Sequence, residues 1–283
     1  MKFKADISFV AIVAILTVIG FAVLLSASFI MGKNDFNDPY YYLKHQLLLG
    51  GVVGLIGAVT TSFVYYRHWE KLSLILMFVA IIGMILVFTP LGMELNGARR
   101  WVQIGFLNFQ PSELLKVASI IYLSAWISKR GKKINSWSEG YLPLLFLLVV
   151  IFVLFFLQKS MSTTIITIAS LGAIYFLSKV KMRFVVASAA IAMVGFGLFL
   201  LFGGHQITRV TSFLGSGDQS ETRDYHINQA LIAIGSGGLT GVGYNNAVSK
   251  YSFLPEPMGD SIFAIIAQEF GFVGSSLIIG LYI

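Results

Sequence analysis

Eight apolar runs, each near the length of one membrane crossing, dominate the chain: 7–29, 45–66, 72–90, 112–128, 141–158, 162–178, 183–202 and 261–283. A helix rises about 1.5 Å per residue and the hydrocarbon layer is about 30 Å thick, so about 20 apolar residues make one crossing. Inside that layer backbone groups find no water, and helices satisfy them within the segment. The predicted fold class is all-α, a polytopic transmembrane helical bundle forming a single integral membrane domain over 1–283. Composition agrees, with 57% hydrophobic and 12% charged residues, about half the charged share of an ordinary soluble domain. The first run is too long for the apolar region of a signal peptide and has no small-residue cleavage site, so it is read as a span.

The formal net charge of +7 does not gather into one patch or helix, which excludes nucleic-acid binding as its purpose. Lys2, Lys4, Arg67, Lys71, Lys129, Arg130, Lys132, Lys133, Lys179, Lys181 and Arg183 fall on one side of the alternating runs. Lys33, Lys44, Arg99, Arg100, Lys159, Arg209, Arg223 and Lys250 fall on the other, mostly in longer loops that also hold acids. The positive-inside rule therefore predicts a cytoplasmic N-terminus and outward-facing loops at 30–44, 91–111 and 203–260. The chain has no cysteine, which removes disulfides and thiolate metal sites. Its four histidines, His45, His68, His205 and His226, show no ligand spacing, so no metal centre is predicted.

The segment 203–260 is predicted to be a folded outer cap between the seventh and eighth spans. Residues 227–234 suit a short helix, which Gly235-Ser236-Gly237-Gly238 would end, because glycine takes left-handed and tight-turn conformations cheaply. No strand precedes this run, Thr240 stands where a third glycine of G-x-G-x-x-G would be, and no Walker lysine follows. It reads as a hinge or close-packing turn, not a nucleotide loop.

Two sets of ionisable residues sit against apolar runs, where charge is costly and usually retained for function. Asp260 directly precedes Ser261-Ile262-Phe263. It can act as a cap on the last helix, accepting backbone N–H bonds at the positive end of the dipole, or as a functional carboxylate. Glu113 and Lys116 are spaced i, i+3 at the start of the fourth span and can pair on one helix face. A structural ion pair that also lines a cavity is the preferred reading over direct catalysis.

Four blocks carry a family resemblance: Asn96 to Trp101, Phe109 to Lys116, Gln229 to Gly238 running on through Gly241 and Gly243, and Leu254-Pro255-Glu256 through Asp260 and Phe263 to Glu269. In order and spacing the chain resembles the SEDS family (shape, elongation, division and sporulation), the FtsW/RodA/SpoVE group, with wording nearer the FtsW and SpoVE side. The resemblance implies ten spans. The chain stops at Tyr282-Ile283 while still apolar, so it is expected to lack the last two. It further implies a peptidoglycan glycosyltransferase of the bacterial cytoplasmic membrane that polymerises lipid II at the outer face, in cell division or cell-shape maintenance.

Asp260 matches the acid implied to be the general base. Arg99, Arg100 and Lys250, with Arg209 and Arg223, are the cations implied to stabilise the departing lipid pyrophosphate, and the Asn-Gly-Ala-Arg-Arg-Trp context favours Arg99 or Arg100. Gln229 and Glu256, within the matching blocks, are the further substrate-binding residues. The implied partner is a class B penicillin-binding protein. No cofactor is implied, with room for a divalent ion carried by the substrate's pyrophosphate. Departures from the family pattern are Gln158-Lys159-Ser160-Met161 in place of Gln-Pro-Asp-Leu, Met258-Gly259 before Asp260, Gln268-Glu269 in place of Glu-Glu, and His226 after Tyr225. They bear on any role for a second outer carboxylate. Two alternatives use the same residues: a flippase of the lipid-linked precursor, and a non-catalytic scaffold of a division complex.

Overall fold

Apolar runs become helices where each backbone group can bond within its own segment, and all eight predicted runs do so. The computed structural model describes residues 6–95, 98–105, 107–178, 180–202, 221–251 and 254–283. Lys2, Lys4, Asn96, Gly97, Lys179 and residues 203–220, with Arg209, lie outside these, and so does the side chain of Arg223. Among the described residues there are nine helices. They are α1 (Ile7–Phe36), α2 (Tyr41–Phe63), α3 (Tyr66–Leu86), α4 (Pro111–Arg130), α5 (Trp137–Leu157), α6 (Met161–Leu177), α7 (Met182–Phe202), α8 (Glu221–Ser236) and α9 (Ile262–Tyr282).

Among the described residues, α1, α2, α3, α5 and α9 are long and apolar enough to cross a membrane. The helix α6 and the Met182–Leu198 part of α7 are apolar but only 17 residues each. The helix α4 has 20 residues but carries Glu113, Lys116, Lys129 and Arg130. The chain is a mostly helical, multi-pass membrane protein. It divides into two compact units, Met1–Phe63 with Asp218–Ile283, and Val64–Gly217.

In the first unit, α1, α8 and α9 pack through small side chains. Ala27 of α1, Ala233 of α8, Ala264 and Ile265 of α9, and Ala247 and Leu254 form its buried cluster. Such residues let helices approach closely in lipid, where no hydrophobic force draws them together. The helix α9 is broken. Gly271, its tenth residue, has φ 67° and ψ −166°, about 14 Å along the axis and so near the middle of a span. A break at that depth frees carbonyls before it and N–H groups after it, which lipid cannot satisfy.

The glycine-rich turn after α8 supplies the missing partners. Val242 N donates to Gln268 O (3.0 Å) and Gly243 N to Glu269 O (3.0 Å). In return Phe272 N donates to Gly238 O (2.9 Å) and Val273 N to Leu239 O (3.1 Å). The described part of the predicted cap therefore does not end at the mouth of α9; its turn reaches the helix midpoint, and residues 242–261 lead back to the helix start. The close-packing role predicted for the glycine run is the one it takes.

The second unit holds α3 to α7 and one small sheet. Met84 of α3, Leu115 and Leu123 of α4, Ile151 and Phe155 of α5, Leu171 of α6 and Phe184 of α7 share its core. The sheet spans part of the predicted 91–111 loop: β1 (Gly92–Leu95), β2 (Ala98–Ile104) and β3 (Leu107–Phe109), antiparallel in that order. Leu95 pairs with Ala98, and the dipeptide that separates them in the sequence, Asn-Gly, is the one that most strongly marks a hairpin. Alternation along β2 puts Arg100 on the face of buried Val102 and Arg99 on the other.

Gly241 (φ +82°) and Gly271 (φ +67°) are the positions where the turn and the break meet. A Cβ at Gly241 would strike the Glu269 carbonyl, and one at Gly271 the Gly241 N and the Leu239 carbonyl. Backbone on both sides leaves nothing flexible to move. Gly241→Ala and Gly271→Ala should each lower stability by about 1–3 kcal/mol, read as thermal unfolding in detergent. Gly57→Ala, in open space on α2, should leave the midpoint unchanged or raise it; equal midpoints for all three would refute the packing account.

Candidate functional site

The return limb from Tyr244 to Ser261 and the first half of α9 gather the ionisable residues of the first unit. Lys250 lies in a single 3-10 turn, Ser249–Tyr251, and its side chain is buried. Its Nζ, with three N–H donors, lies within hydrogen-bonding distance of Asn245 Oδ1 (2.7 Å), Asn245 O (2.9 Å), Ser26 Oγ of α1 (2.9 Å) and Glu269 Oε1 of α9 (3.2 Å). Ser26 Oγ in turn donates to Glu269 Oε1. The two charged side chains are 1% and 0% exposed, so the charge pair is fully desolvated. Removing one partner of such a pair costs about 3–5 kcal/mol, because the other charge is left stranded. Glu269 Oε2 has no hydrogen-bond partner among the described residues.

Asp260 stands differently. It is exposed, one residue before Ser261, which is the N-cap of α9 and makes no side-chain cap bond. The capping reading of Asp260 is thus replaced: Ser261 Oγ donates instead to Pro255 O (2.8 Å), and the Asp260 side chain makes no hydrogen bond among the described residues. The turn bearing it is closed by the Glu256 carbonyl, which accepts from Gly259 N (3.0 Å) and Ser261 N (3.4 Å). Glu256 itself is exposed with φ +46°, a conformation costly for a non-glycine residue and held only where surroundings impose it. Gln229 lies half-buried on α8.

Beside this turn lies a cavity of about 380 Å³ lined by Thr17, Phe21 and Leu24 of α1, Gln46 of α2, and Met258 and Ile262. The last two flank Asp260 by two residues on each side, so a carboxylate and a mainly apolar groove are neighbours.

The remaining predicted residues belong to the second unit. Arg99, exposed on β2, pairs with Glu94 of β1 at 3.2 Å. Arg100 donates from Nη2 to the Lys159 carbonyl at 2.7 Å, tying the sheet to the end of α5, where Lys159 has φ 52°. Glu113 and Lys116 form the expected pair at 2.7 Å in the first turns of α4, with Glu113 55% and Lys116 25% exposed. No group of three or more potential metal ligands occurs among the described residues. Sequence reasoning took Lys250 as a substrate-facing cation and did not find Ser26 or Asn245 as its partners. A lysine ten residues from one acid and nineteen from another was the only trace.

The exposure of Glu113 sets the strength of its pair near that of a surface helix pair. A double-mutant cycle of Glu113→Ala and Lys116→Ala on thermal stability should give a coupling of about 0.5 kcal/mol. Additive losses would show that the two side chains do not interact in the folded protein.

Residues 6–283 match the family described as Cell cycle protein, FtsW/RodA/SpoVE. Stage V sporulation protein E of Bacillus subtilis (strain 168) is 32% identical over 282 residues, covering 99% of this chain and 77% of that protein. The probable peptidoglycan glycosyltransferase FtsW of Trichlorobacter lovleyi is 31% identical over 278 residues, covering 98% and 73%. A chain of a peptidoglycan synthase complex that coordinates polymerization and crosslinking has the same fold, with TM-score 0.71 at 24% identity and coverage of 99% and 76%. The rod shape determining protein RodA of Thermus thermophilus follows at TM-score 0.66 and 24% identity, covering 99% and 72%. With the family matched across nearly its whole length, the chain belongs to the FtsW/RodA/SpoVE family.

Proposed function

We propose that this chain, an enzyme of the peptidoglycan glycosyltransferase class for which its relatives are named, polymerises lipid II into glycan strands with Asp260 as general base. The observation that carries the reading is the contrast between two carboxylates. Glu269 is buried and bound to a lysine, while Asp260 stands exposed, without a hydrogen-bond partner among the described residues, at the mouth of a membrane-crossing helix. A free carboxylate held by a closed turn is suited to take the proton of a sugar hydroxyl as the new C–O bond forms. The neighbouring groove of Thr17, Phe21, Leu24 and Met258 suits the hydrocarbon of a lipid-linked substrate. The departing lipid pyrophosphate develops negative charge, which Arg99 and Arg100 are the proposed cations to stabilise.

In this reading Lys250 does not meet the pyrophosphate, because its donors are spent on Ser26, Asn245 and Glu269. Glu256, strained beside Asp260, is a contact for substrate, and Gln229 of α8 is a second. A class B penicillin-binding protein is the proposed partner, supplying the crosslinking that the similar synthase complex couples to polymerization. The N-terminus is proposed to be cytoplasmic, with Asp260 at the outer face.

Asp260→Asn preserves size but cannot accept the hydroxyl proton. Because Asp260 makes no cap bond, the variant should fold with an unchanged thermal midpoint. Its rate of glycan polymerisation from lipid II, measured with the crosslinking partner present, should fall by about two orders of magnitude or more. A well-folded Asp260→Asn protein that polymerises at a near-normal rate would remove the assignment. For orientation, a cysteine replacing Asp35 in the last turn of α1 should react with a membrane-impermeant thiol reagent in intact cells, and one replacing Ser138 in the first turn of α5 only after permeabilisation. The opposite labelling would put Asp260 on the cytoplasmic side, away from the growing wall.

A further inference from the structure

Asp260 lies ten residues after Lys250 and nine before Glu269, so the Lys250–Glu269 ion pair closes a loop with the proposed base near its midpoint. The closure is double. One residue earlier on each side, Ser249 N donates to Gln268 Oε1 (3.4 Å), and Gln268 Nε2 donates onward to Ser236 Oγ at the end of α8 (2.9 Å). An amide at 268 both accepts and donates there, which a carboxylate could not do. The backbone of the same two residues, Gln268 and Glu269, accepts from Val242 and Gly243. Two adjacent positions just before the helix break thus hold the end of α8, the glycine turn and the return limb. From Leu254 to Asp260 the limb is tied at several points: Leu254 N donates to Ser249 O (2.9 Å), Leu254 is buried, and the turn beyond it is closed by Glu256 and Pro255 carbonyls.

We propose that Lys250 and Glu269, with Gln268, are positioning residues for glycosyl transfer: their buried latch fixes where the Asp260 carboxylate stands relative to α1 and α9. The proposal rests on the reading of Asp260 as the base, and it adds a role for the second carboxylate of the last block. Glu269 does not exchange protons with substrate; it holds the lysine that holds the limb. Effective catalysis depends on a base placed within a fraction of an ångström of its working geometry, so a loosened limb loses turnover before it loses substrate affinity.

The test compares wild type, Lys250→Met, Glu269→Gln, the double variant Lys250→Met/Glu269→Gln, and Asp260→Asn, each purified with the crosslinking partner and assayed on lipid II. Thermal midpoints and amide hydrogen exchange over 254–261 are read on the same samples. Each single change should lower the midpoint and reduce kcat about tenfold or more, with KM moving less than about threefold. The double variant strands no charge, so its midpoint should return towards wild type. Its kcat should nevertheless stay about tenfold down, with faster exchange over 254–261 than wild type. A double variant that regains both midpoint and kcat, or shows wild-type exchange over the limb, overturns the latch and leaves a purely structural ion pair. An inactive Asp260→Asn beside a double variant of normal kcat refutes the latch alone. An active Asp260→Asn beside a double variant of depressed kcat refutes the base, and with it the placing of that carboxylate as the latch's role, leaving a limb that is needed for turnover in another way.

Discussion

Backbone groups in the middle of a bilayer must find their partners inside the protein, and the break at Gly271 makes that requirement local and severe. An unbroken α9 would satisfy itself and leave 237–243 without a reason to approach. The broken helix exposes the Gln268 and Glu269 carbonyls and the Phe272 and Val273 N–H groups, and a turn with its own free groups must come to them. Only a chain without Cβ atoms can come close enough, which is why glycines stand at both 241 and 271. The return limb, its lysine and the turn carrying Asp260 all follow from where that contact is made.

The distribution of charge follows from the same depth. Lys250 and Glu269 lie beside the break, where neither can be left alone, and Ser26, Asn245 and each other supply nearly every bond they require. Asp260 is two turns of helix nearer the end of α9, where an exposed carboxylate is tolerated. Two acids nine residues apart on one segment therefore have opposite characters, one holding structure and the other open to chemistry. In the second unit the cations of the sheet divide in a similar way: Arg100 is engaged with the Lys159 carbonyl, while Arg99 is on the opposite face in an exposed pair with Glu94.

Much of the architecture was legible in contiguous residues. Run lengths located all eight apolar helices, the i, i+3 spacing located the Glu113–Lys116 pair, and the glycine run after 227–234 marked the end of α8. The sheet over 92–109 escaped a reading tuned to apolar length, although Asn96-Gly97 between two short alternating segments was a hairpin signature in plain view. The helix break could not be read, because Gly271 in Glu269-Phe270-Gly271-Phe272 looks like any small residue in a span.

The sequence by itself determined that this is a multi-pass helical membrane protein and which residues carry charge near its apolar runs, since length and composition are properties of neighbouring residues and a bilayer accepts few solutions. Only the tertiary structure decided what each charge does. Lys250, read as a cation for the substrate, is buried against Glu269, Ser26 and Asn245, and Asp260, read as a functional carboxylate that could also cap the helix, is exposed and caps nothing. Ser26 is 224 residues from Lys250 and 243 from Glu269, and no local pattern brings such groups together. Packing α1 against α9 does so, and desolvation of the resulting contact is what forces the charges to pair.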